Sequence, residues 1–314
     1  MSPETRRKDT IYHGFSAATQ SVSRLRRRPD DFPIARTTAG RPKRLGRRRT
    51  EGEAMTAPRV VSLAPSATAT VTALGGAETL VGVTHHCDPP AEAGSAHGGE
   101  FPVAVGGWLN PDLDRVADLD PGVVLASDGL QADLADACRD RGFDVRHREP
   151  ATLDEAIATF AARGADVGRP DAGDRLAADS RARLDRVAEA VADRPRPTVY
   201  CEEWSDPPMA AGNWVPDAVR AAGGRYPFVE SGERSREVDL ASVEAADPDH
   251  LVVHVCGHGD RVDPATVAER DWAVEAPVHV IDDSLLNQPS PALIDGVERL
   301  AGLFHSEAFS ETPP

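Results

Sequence analysis

Two clusters of histidine and cysteine are the side chains of this chain best suited to binding a metal. The residues are His85, His86 and Cys87 in the first cluster and His254, Cys256 and His258 in the second. Imidazole and thiolate groups are preferred ligands of zinc and other late transition metals. Neither cluster has the spacing of a zinc-enzyme motif such as HExxH. The six residues are therefore candidates for holding a metal or a metal-containing ligand, and ordinary loop or core positions are the alternative.

A possible ligand-binding turn lies in the segment SLAPSAT, which includes Ser66 and Ala67. It joins an apolar strand pattern to a helix pattern, and ligands of parallel sheets bind at such strand ends, close to helix N-termini. The chain has no GxGxxG, GxxxxGK[ST] or GxSxG motif, so nucleotide loops and a hydrolase nucleophile are not indicated. Glu202 and Glu203 are adjacent in a predicted strand, which places them on opposite faces and argues against a catalytic carboxylate pair.

Three of the four tryptophans lie in or beside predicted loops that are rich in Gly and Pro, at Trp108, Trp204 and Trp214. Flat aromatic rings pack well against flat ligands, so these positions could line a binding cleft. The alternative is that each ring fills the core of its own part of the protein.

An internal repeat indicates how these residues are positioned. Asp112, Leu113, Val116, Asp120 and Pro121 recur 127 positions later as Asp239, Leu240, Val243, Asp247 and Pro248. A second pair, ALGGAETLVGV from Ala73 and AAGGRYPFVE from Ala221, occurs in the same order. The repeat predicts two similar α/β lobes, and a cleft between two lobes is a common place for a small ligand.

Strand patterns alternate with helix patterns in both lobes, which predicts mostly parallel sheets. The segment 170–194 predicts one long helix of about 36 Å that could hold the lobes apart, or simply one more surface helix. We predict five segments: a basic tail at 1–54, a first lobe at 55–169, a linking helix at 170–194, a second lobe at 195–306 and a short tail at 307–314.

The charge of −16 is unevenly distributed. Residues 1–54 carry 14 Lys and Arg and 6 Asp and Glu, a net charge of +8, which leaves −24 on the remainder. No lysine follows Lys43. The acidic part suits a solvated surface at high salt and disfavours nucleic-acid binding, which needs clusters of Lys and Arg. The basic segment predicts a disordered tail, or an untranslated stretch upstream of a start at Met55.

Twin arginines occur in the basic segment, but no apolar segment of about 7–15 residues follows them, so no signal peptide is indicated. No stretch approaches the roughly 18 apolar residues of a membrane span. We therefore expect no membrane insertion and a cytoplasmic protein, or an extracytoplasmic one if the gene start is wrong. The four cysteines form no CxxC pair and are expected to be free thiols.

The order of these segments resembles the cobalamin- and ferric-siderophore-binding proteins of the helical-backbone class, in the cobalamin-binding branch without a signal peptide. SLAPSAT, LVGVTHHCDPP and VGGWLNPDLDRVADLDPGVVLA are similar to the first lobe of that family, and CEEWSDPPMAAGNWVPDAVRAAGG, PDHLVVHVCG and NQPSP to the second. The similarity covers roughly residues 59–305. It implies two Rossmann-like α/β lobes with parallel sheets, joined by one long helix, that hold a corrinoid in the cleft and catalyse no reaction.

The resemblance also implies which residues line the cleft: Ser66, Ala67, His86, Trp108, Asn213, Trp214, Leu285 and Asn287. Transport members of the family present one acidic residue per lobe to arginines of a membrane permease. Asp114 matches the first position, but Ala241 occupies the second, and Asp239 and Glu244 are out of register. Half of the docking pair is therefore missing in this comparison.

These observations favour a monomeric, non-catalytic protein that binds cobalamin or a related corrinoid as its ligand, needs no catalytic cofactor and serves uptake, salvage or sensing. Two alternatives stay open. One is the substrate-binding component of a cobalamin or ferric-siderophore ABC importer, which would require an export signal or a permease partner. The other is a metal-dependent enzyme that processes a tetrapyrrole with ligands from both histidine and cysteine clusters.

Overall fold

The computed structural model describes residues 58–98, 100 and 102–309. The predicted basic tail at 1–54 and most of the short tail at 307–314 lie outside these residues. The boundaries predicted at 55–169, 170–194 and 195–306 stay predictions, whereas the architecture of two α/β lobes is confirmed by two separate five-stranded sheets.

The first sheet is wholly parallel and has the strand order β3-β2-β1-β4-β5. Its strands are β1 (Val60–Ser62), β2 (Leu80–Val83), β3 (Val103–Ala104), β4 (Val123–Ser127) and β5 (Val145–Arg148). The helices between them are α1 (Pro65–Ala73), α2 (Leu113–Asp118) and α3 (Ala132–Asp140). The strand order reverses between β1 and β4, and parallel sheets of this kind bind ligands at that reversal.

Both faces of the first sheet are buried, which explains why its strands are apolar runs rather than alternating patterns. Val60 packs into one core cluster and Val61 into another, because successive side chains of a strand point to opposite faces. Helix α1 covers the first face through Ala67 and Val71.

The second sheet has the order β10-β9-β6-β7-β8. Its strands are β6 (Val199–Ser205), β7 (Pro208–Ala210), β8 (Arg236–Glu237), β9 (His250–Val253) and β10 (Val278–Val280). Strands β6, β9 and β10 are parallel, while β7 and β8 are antiparallel to their neighbours. The sheet is therefore mixed rather than parallel throughout, because the turn after Ser205 is too short for anything but an antiparallel hairpin.

Helices complete the second lobe. They are α6 (Val215–Ala221), α7 (Leu240–Ala246), α8 (Ala265–Ala268), α9 (Ala292–Phe304) and α10 (Ser306–Phe309).

The internal repeat has the same conformation in both lobes. Asp112 caps the N-terminus of α2, and Asp239 caps that of α7. Asp120 and Asp247 then adopt left-handed backbone angles, with φ of 43° and 44°, before the strands β4 and β9. The repeat thus encodes a helix cap, a short helix and a turn into a buried strand, once per lobe.

Two helices, not one, lie between the sheets. The linking helix α5 (Pro170–Val191) is preceded by α4 (Leu153–Asp166), which the sequence analysis did not predict. A capping box of Thr152 and Glu155 starts α4. Although α4 falls within the predicted first lobe, its buried side chains at Ile157 and Phe160 belong to the core cluster of the second lobe.

Close backbone contact holds α4 against α5. A Cβ atom on Gly164 would lie 2.8 Å from the Cα of Gly173, and one on Gly173 would lie 2.8 Å from the Phe160 carbonyl oxygen. Farther along α5, Arg183 forms ion pairs with Asp295 and Glu298 of α9, at 2.5 and 2.6 Å. The linking helix is thus fixed to α4 at one end and to the second lobe at its centre.

Candidate functional site

The carboxyl end of β1 meets the N-terminus of α1 at the point where the strand order of the first sheet reverses. Ser66 and Ala67 lie in the first turn of α1, and both are buried. No side chain caps this helix, so its first backbone N–H groups donate to no capping side chain. The turn is placed where parallel sheets bind ligands, and backbone N–H groups at a helix start are donors for carbonyl or anionic oxygens.

A buried glutamine, Gln131, fixes Trp108 at this point. Its amide nitrogen donates to the carbonyl oxygens of Trp108 and Leu63, at 2.7 and 2.9 Å. Its amide oxygen accepts from the Ser127 backbone N–H at 2.9 Å. Gln131 therefore connects the ends of β1 and β4 to the loop that carries the half-buried Trp108 ring. The sequence analysis missed Gln131, and nothing in the local sequence distinguishes it from a surface glutamine.

His85 and His86 are exposed at the end of β2, on a segment next to the Trp108 loop. The His85 backbone N–H donates to the Gly106 carbonyl oxygen at 2.9 Å, which joins the two loops. Cys87 and Thr84 share a hydrogen bond of 3.3 Å. His86 and Trp108 thus occupy neighbouring loops at the carboxyl edge of the first sheet.

In the second lobe, Trp214 fills the core. Only 4% of it is exposed, and its indole N–H donates to the Leu286 carbonyl oxygen at 2.6 Å. Little of the ring is left to meet a ligand, which is the alternative that the sequence analysis kept open. Asn213 precedes it in a left-handed conformation, with φ of 52°, and its backbone bonds to Gly232 and Glu233.

Asn287 is engaged with His254 at the carboxyl end of β9. The Asn287 side-chain oxygen accepts from His254 Nδ1, and its amide nitrogen donates to the His254 carbonyl oxygen at 3.0 Å. Because an amide oxygen only accepts, this contact places the imidazole proton on Nδ1. Leu285 lies in the preceding short turn, Asp283–Leu285, and is partly exposed.

The six candidate metal ligands do not converge. Within residues 58–309, apart from positions 99 and 101, no group of three or more His, Cys, Asp or Glu side chains is placed to hold a metal ion. His254 faces Asn287, and His258 bonds to the carbonyl oxygen of Cys256 at 3.2 Å. The structure therefore gives no support to a site that draws metal ligands from both clusters.

Glu202 and Glu203 occupy different environments, as their adjacency in a strand predicts. The Glu202 carboxylate is fully buried and forms a bidentate pair with Arg270 at 2.5 and 2.8 Å. Burial raises the pKa of Glu203 to about 7; a hydrogen bond with Ser235 opposes this shift, and the negative charge of Asp128 adds to it. Since Asp128 follows β4 and Glu203 lies on β6, the two lobes meet near these carboxylates.

Protonation of His254 makes the free energy of unfolding depend on pH. Burial lowers its pKa to about 4, whereas the unfolded state keeps the ordinary value of about 6.5. Between these values the unfolded state binds the extra proton, so the free energy of unfolding falls as the pH drops. We expect His254 to contribute a loss of about 2 kcal/mol between pH 7 and pH 5.

Urea unfolding of the wild type and of His254→Gln at both pH values measures this contribution. Glu203, whose pKa is raised, acts in the opposite sense, so only the difference between the two proteins is diagnostic. An equal pH dependence in both would contradict the assignment.

No helix among the described residues combines the length and the apolar character needed to cross a membrane.

Known proteins share the fold of this chain. A cobalamin-binding protein of Halobacterium salinarum is 27% identical over 264 residues, which span 79% of this chain and 69% of the relative. The periplasmic vitamin B12-binding protein of Vibrio cholerae has a solved structure that matches with a TM-score of 0.64, at 23% identity, covering 82% of this chain and 99% of that one. A periplasmic heme-binding protein of Pseudomonas aeruginosa matches with a TM-score of 0.67, at 21% identity over 80% of this chain and 93% of that one.

The expectation of a cytoplasmic protein is wrong. Both solved structures are of periplasmic proteins, and the family itself is one of periplasmic binding proteins, which points to a location outside the cytoplasm. The expectation rested on the lack of a recognisable export signal in residues 1–54, which lie outside the described structure.

The family description that matches the sequence is that of a periplasmic binding protein, over residues 60–274. The match covers more than half of the chain and includes the first sheet, the two helices between the sheets and strands β6 to β9 of the second sheet. The chain belongs to the periplasmic binding protein family.

Proposed function

We propose that this protein binds cobalamin or a related corrinoid in the cleft between its lobes, without catalysing a reaction, and presents it to the permease of an ABC importer. The observation that carries the proposal is the likeness to a cobalamin-binding protein over 79% of the chain. Membership of a family of binding proteins supports a role in binding rather than in catalysis.

The first lobe offers suitable contacts for such a ligand. A corrin ring is broad and flat, and the half-buried indole of Trp108 can pack against it. The N–H groups at the start of α1 can donate to the carbonyl oxygens of the amide side chains around the ring. Ser66, Ala67, His86 and Trp108 belong to this wall, and Asn213, Leu285 and Asn287 to the opposite one.

A permease partner would meet the outer ends of the lobes. Asp114 is in the first turn of α2 and pairs with Arg141, and 87% of its side chain is exposed. The second lobe has Ala241 at the matching position of α7, two residues after the exposed cap residue Asp239. We propose that a monomer docks through Asp114 of the first lobe, while Ala241 leaves the matching position of the second lobe without a carboxylate.

Replacing Trp108 by alanine should weaken cobalamin binding about thirtyfold, because a central aromatic contact of this kind contributes about 2 kcal/mol. Calorimetric titration of the full chain with hydroxocobalamin measures the dissociation constant, and quenching of tryptophan fluorescence gives a second readout.

Trp272→Phe is the matched control, since Trp272 lies beside Arg270 in the second lobe, 5.5 Å from its guanidinium carbon. It should bind like the wild type. If the wild type gives neither heat nor quenching with cobalamin, the proposed function is wrong; if Trp108→Ala binds normally, the proposed wall is wrong.

A further inference from the structure

A loop of the second lobe reaches across to the first. Residues 230–236, here termed the interlobe loop, follow α6 and end at β8. One end of this loop is tied to the start of α4: the Asp217 carboxylate accepts from the Ser231 hydroxyl at 2.7 Å and from the Leu153 backbone N–H at 3.2 Å. A Cβ atom on Gly232 would lie 3.5 Å from the Thr152 methyl group. The loop therefore lies along the boundary between the lobes.

Arg234, near the other end of the loop, meets the carboxyl edge of the first sheet. A Cβ atom on Gly129 would lie 2.6 Å from an Arg234 guanidinium nitrogen and 3.2 Å from Glu149 Oε2. These two atoms are consequently no more than 5.8 Å apart. Gly129 follows β4 and Glu149 follows β5, so a cation of the second lobe faces the ends of two first-lobe strands.

Acidic side chains lie on both sides of this contact. Asp128 and Glu149 lie on the first-lobe side, and Glu203 lies on the second-lobe side, where it senses the charge of Asp128. Above the pKa of about 7 of Glu203, negative charges on the two sides of the boundary repel each other, and a nearby guanidinium offsets part of that repulsion.

We propose that Arg234 is a positioning residue that holds the two lobes in the ligand-binding arrangement. Gly129 has no side chain and so leaves room for the Arg234 guanidinium. The expected effect of Arg234 on ligand affinity rests on the proposed function. A cleft whose walls are already in place loses less conformational freedom when a ligand binds, so fixing the lobes should strengthen binding. The effect of Arg234 on the lobes themselves does not depend on any ligand.

Amide hydrogen exchange of the full chain without ligand, followed by mass spectrometry at pH 8, tests the contact directly. The reporter is the first-lobe peptide around 128–132, where Asp128 accepts from the backbone N–H groups of Leu130 and Gln131. Arg234→Gln should make exchange in this peptide about fivefold faster, although the substitution is in the other lobe. Arg234→Lys should retain most of the protection, because it keeps the charge. Arg299→Gln removes an arginine from α9 of the same lobe and should have no effect.

Gly129→Ala changes the same contact on its first-lobe side. Its φ is not left-handed, so the backbone tolerates alanine and the new methyl group acts on Arg234. If both residues act through one contact, the double variant exchanges no faster than the faster single variant. Additive effects, or an unchanged 128–132 peptide in Arg234→Gln, would overturn the proposal.

Cobalamin titrations of the same variants separate this inference from the proposed function. With a wild type that binds, Arg234→Gln should bind about fivefold more weakly, and unchanged affinity would overturn the effect on binding. With a wild type that does not bind, the proposed function fails, and the exchange data alone decide whether Arg234 positions the lobes.

Discussion

Replacing Glu202 by alanine is expected to lower the free energy of unfolding by about 4 kcal/mol. The carboxylate is fully buried and accepts from the Tyr200 and Ser205 hydroxyls as well as from Arg270. Only 12% of the Arg270 side chain is exposed, so the variant leaves a guanidinium with little water to replace its partner. Urea unfolding at pH 7.5 and constant KCl concentration, followed by circular dichroism, measures the change.

Asp136→Ala is the control for this experiment. Asp136 pairs with Arg139 on α3 at 2.7 Å, but 74% of its side chain is exposed. Surface pairs of this type contribute less than about 1 kcal/mol. Glu202→Gln, which keeps hydrogen-bond acceptance without the charge, should fall between the two. A loss below about 1 kcal/mol in Glu202→Ala would mean that the pair contributes no more than a surface pair.

Gly173→Ala is expected to destabilise the protein by about 3 kcal/mol. The added methyl group would meet the Phe160 carbonyl oxygen at 2.8 Å and the Ala161 Cα and carbonyl oxygen at 3.0 Å. All three are backbone atoms of α4, so no side chain can rotate out of the way and the two helices must separate. The free energy of unfolding from urea titration is again the measurement.

Gly302→Ala provides a matched control with the opposite sign. Gly302 also lies within a helix, α9, but a Cβ atom there has nothing within 4 Å. Alanine in an open helical position should stabilise the fold by about 0.5–1 kcal/mol, because it restricts the unfolded chain. Equal destabilisation at both positions would show that contact with α4 is not the cause.

Local and repeated signals were sufficient to predict the main architecture. Asp112 and Asp239 are helix caps, and in each lobe the next strand begins only about ten residues later. Because the cap, helix and strand follow each other so closely, their repetition in the sequence was enough to predict both lobes. The linking helix was predicted from Pro170 and its apolar face. Helix α4 was missed although Thr152 and Glu155 form the T-x-x-E pattern of a capping box, which was a usable signal.

The site was less predictable, because its contacts join residues distant in sequence. Gln131 reaches Leu63 across 68 positions, and Arg270 reaches Glu202 across 68 as well. Trp214 neighbours a loop rich in Gly and Pro, which left both a cleft and a core position open, and its ring packs in the core of the second lobe with its indole N–H bonded to the distant Leu286. Whether an aromatic ring at the start of a helix faces the core or a cleft depends on tertiary packing, which cannot be read from the local sequence.

The outer strands of both sheets affect how this protein behaves when concentrated. The terminal strands β3 and β8 are two residues long, and β10 has three. Strand β5 carries two arginines and a histidine among its four residues, and β8 consists of Arg236 and Glu237. Short or charged edges present few unpaired backbone groups to a strand from another molecule. Such edges disfavour strand-mediated polymerisation, so the protein should tolerate accumulation in a confined compartment without forming fibres.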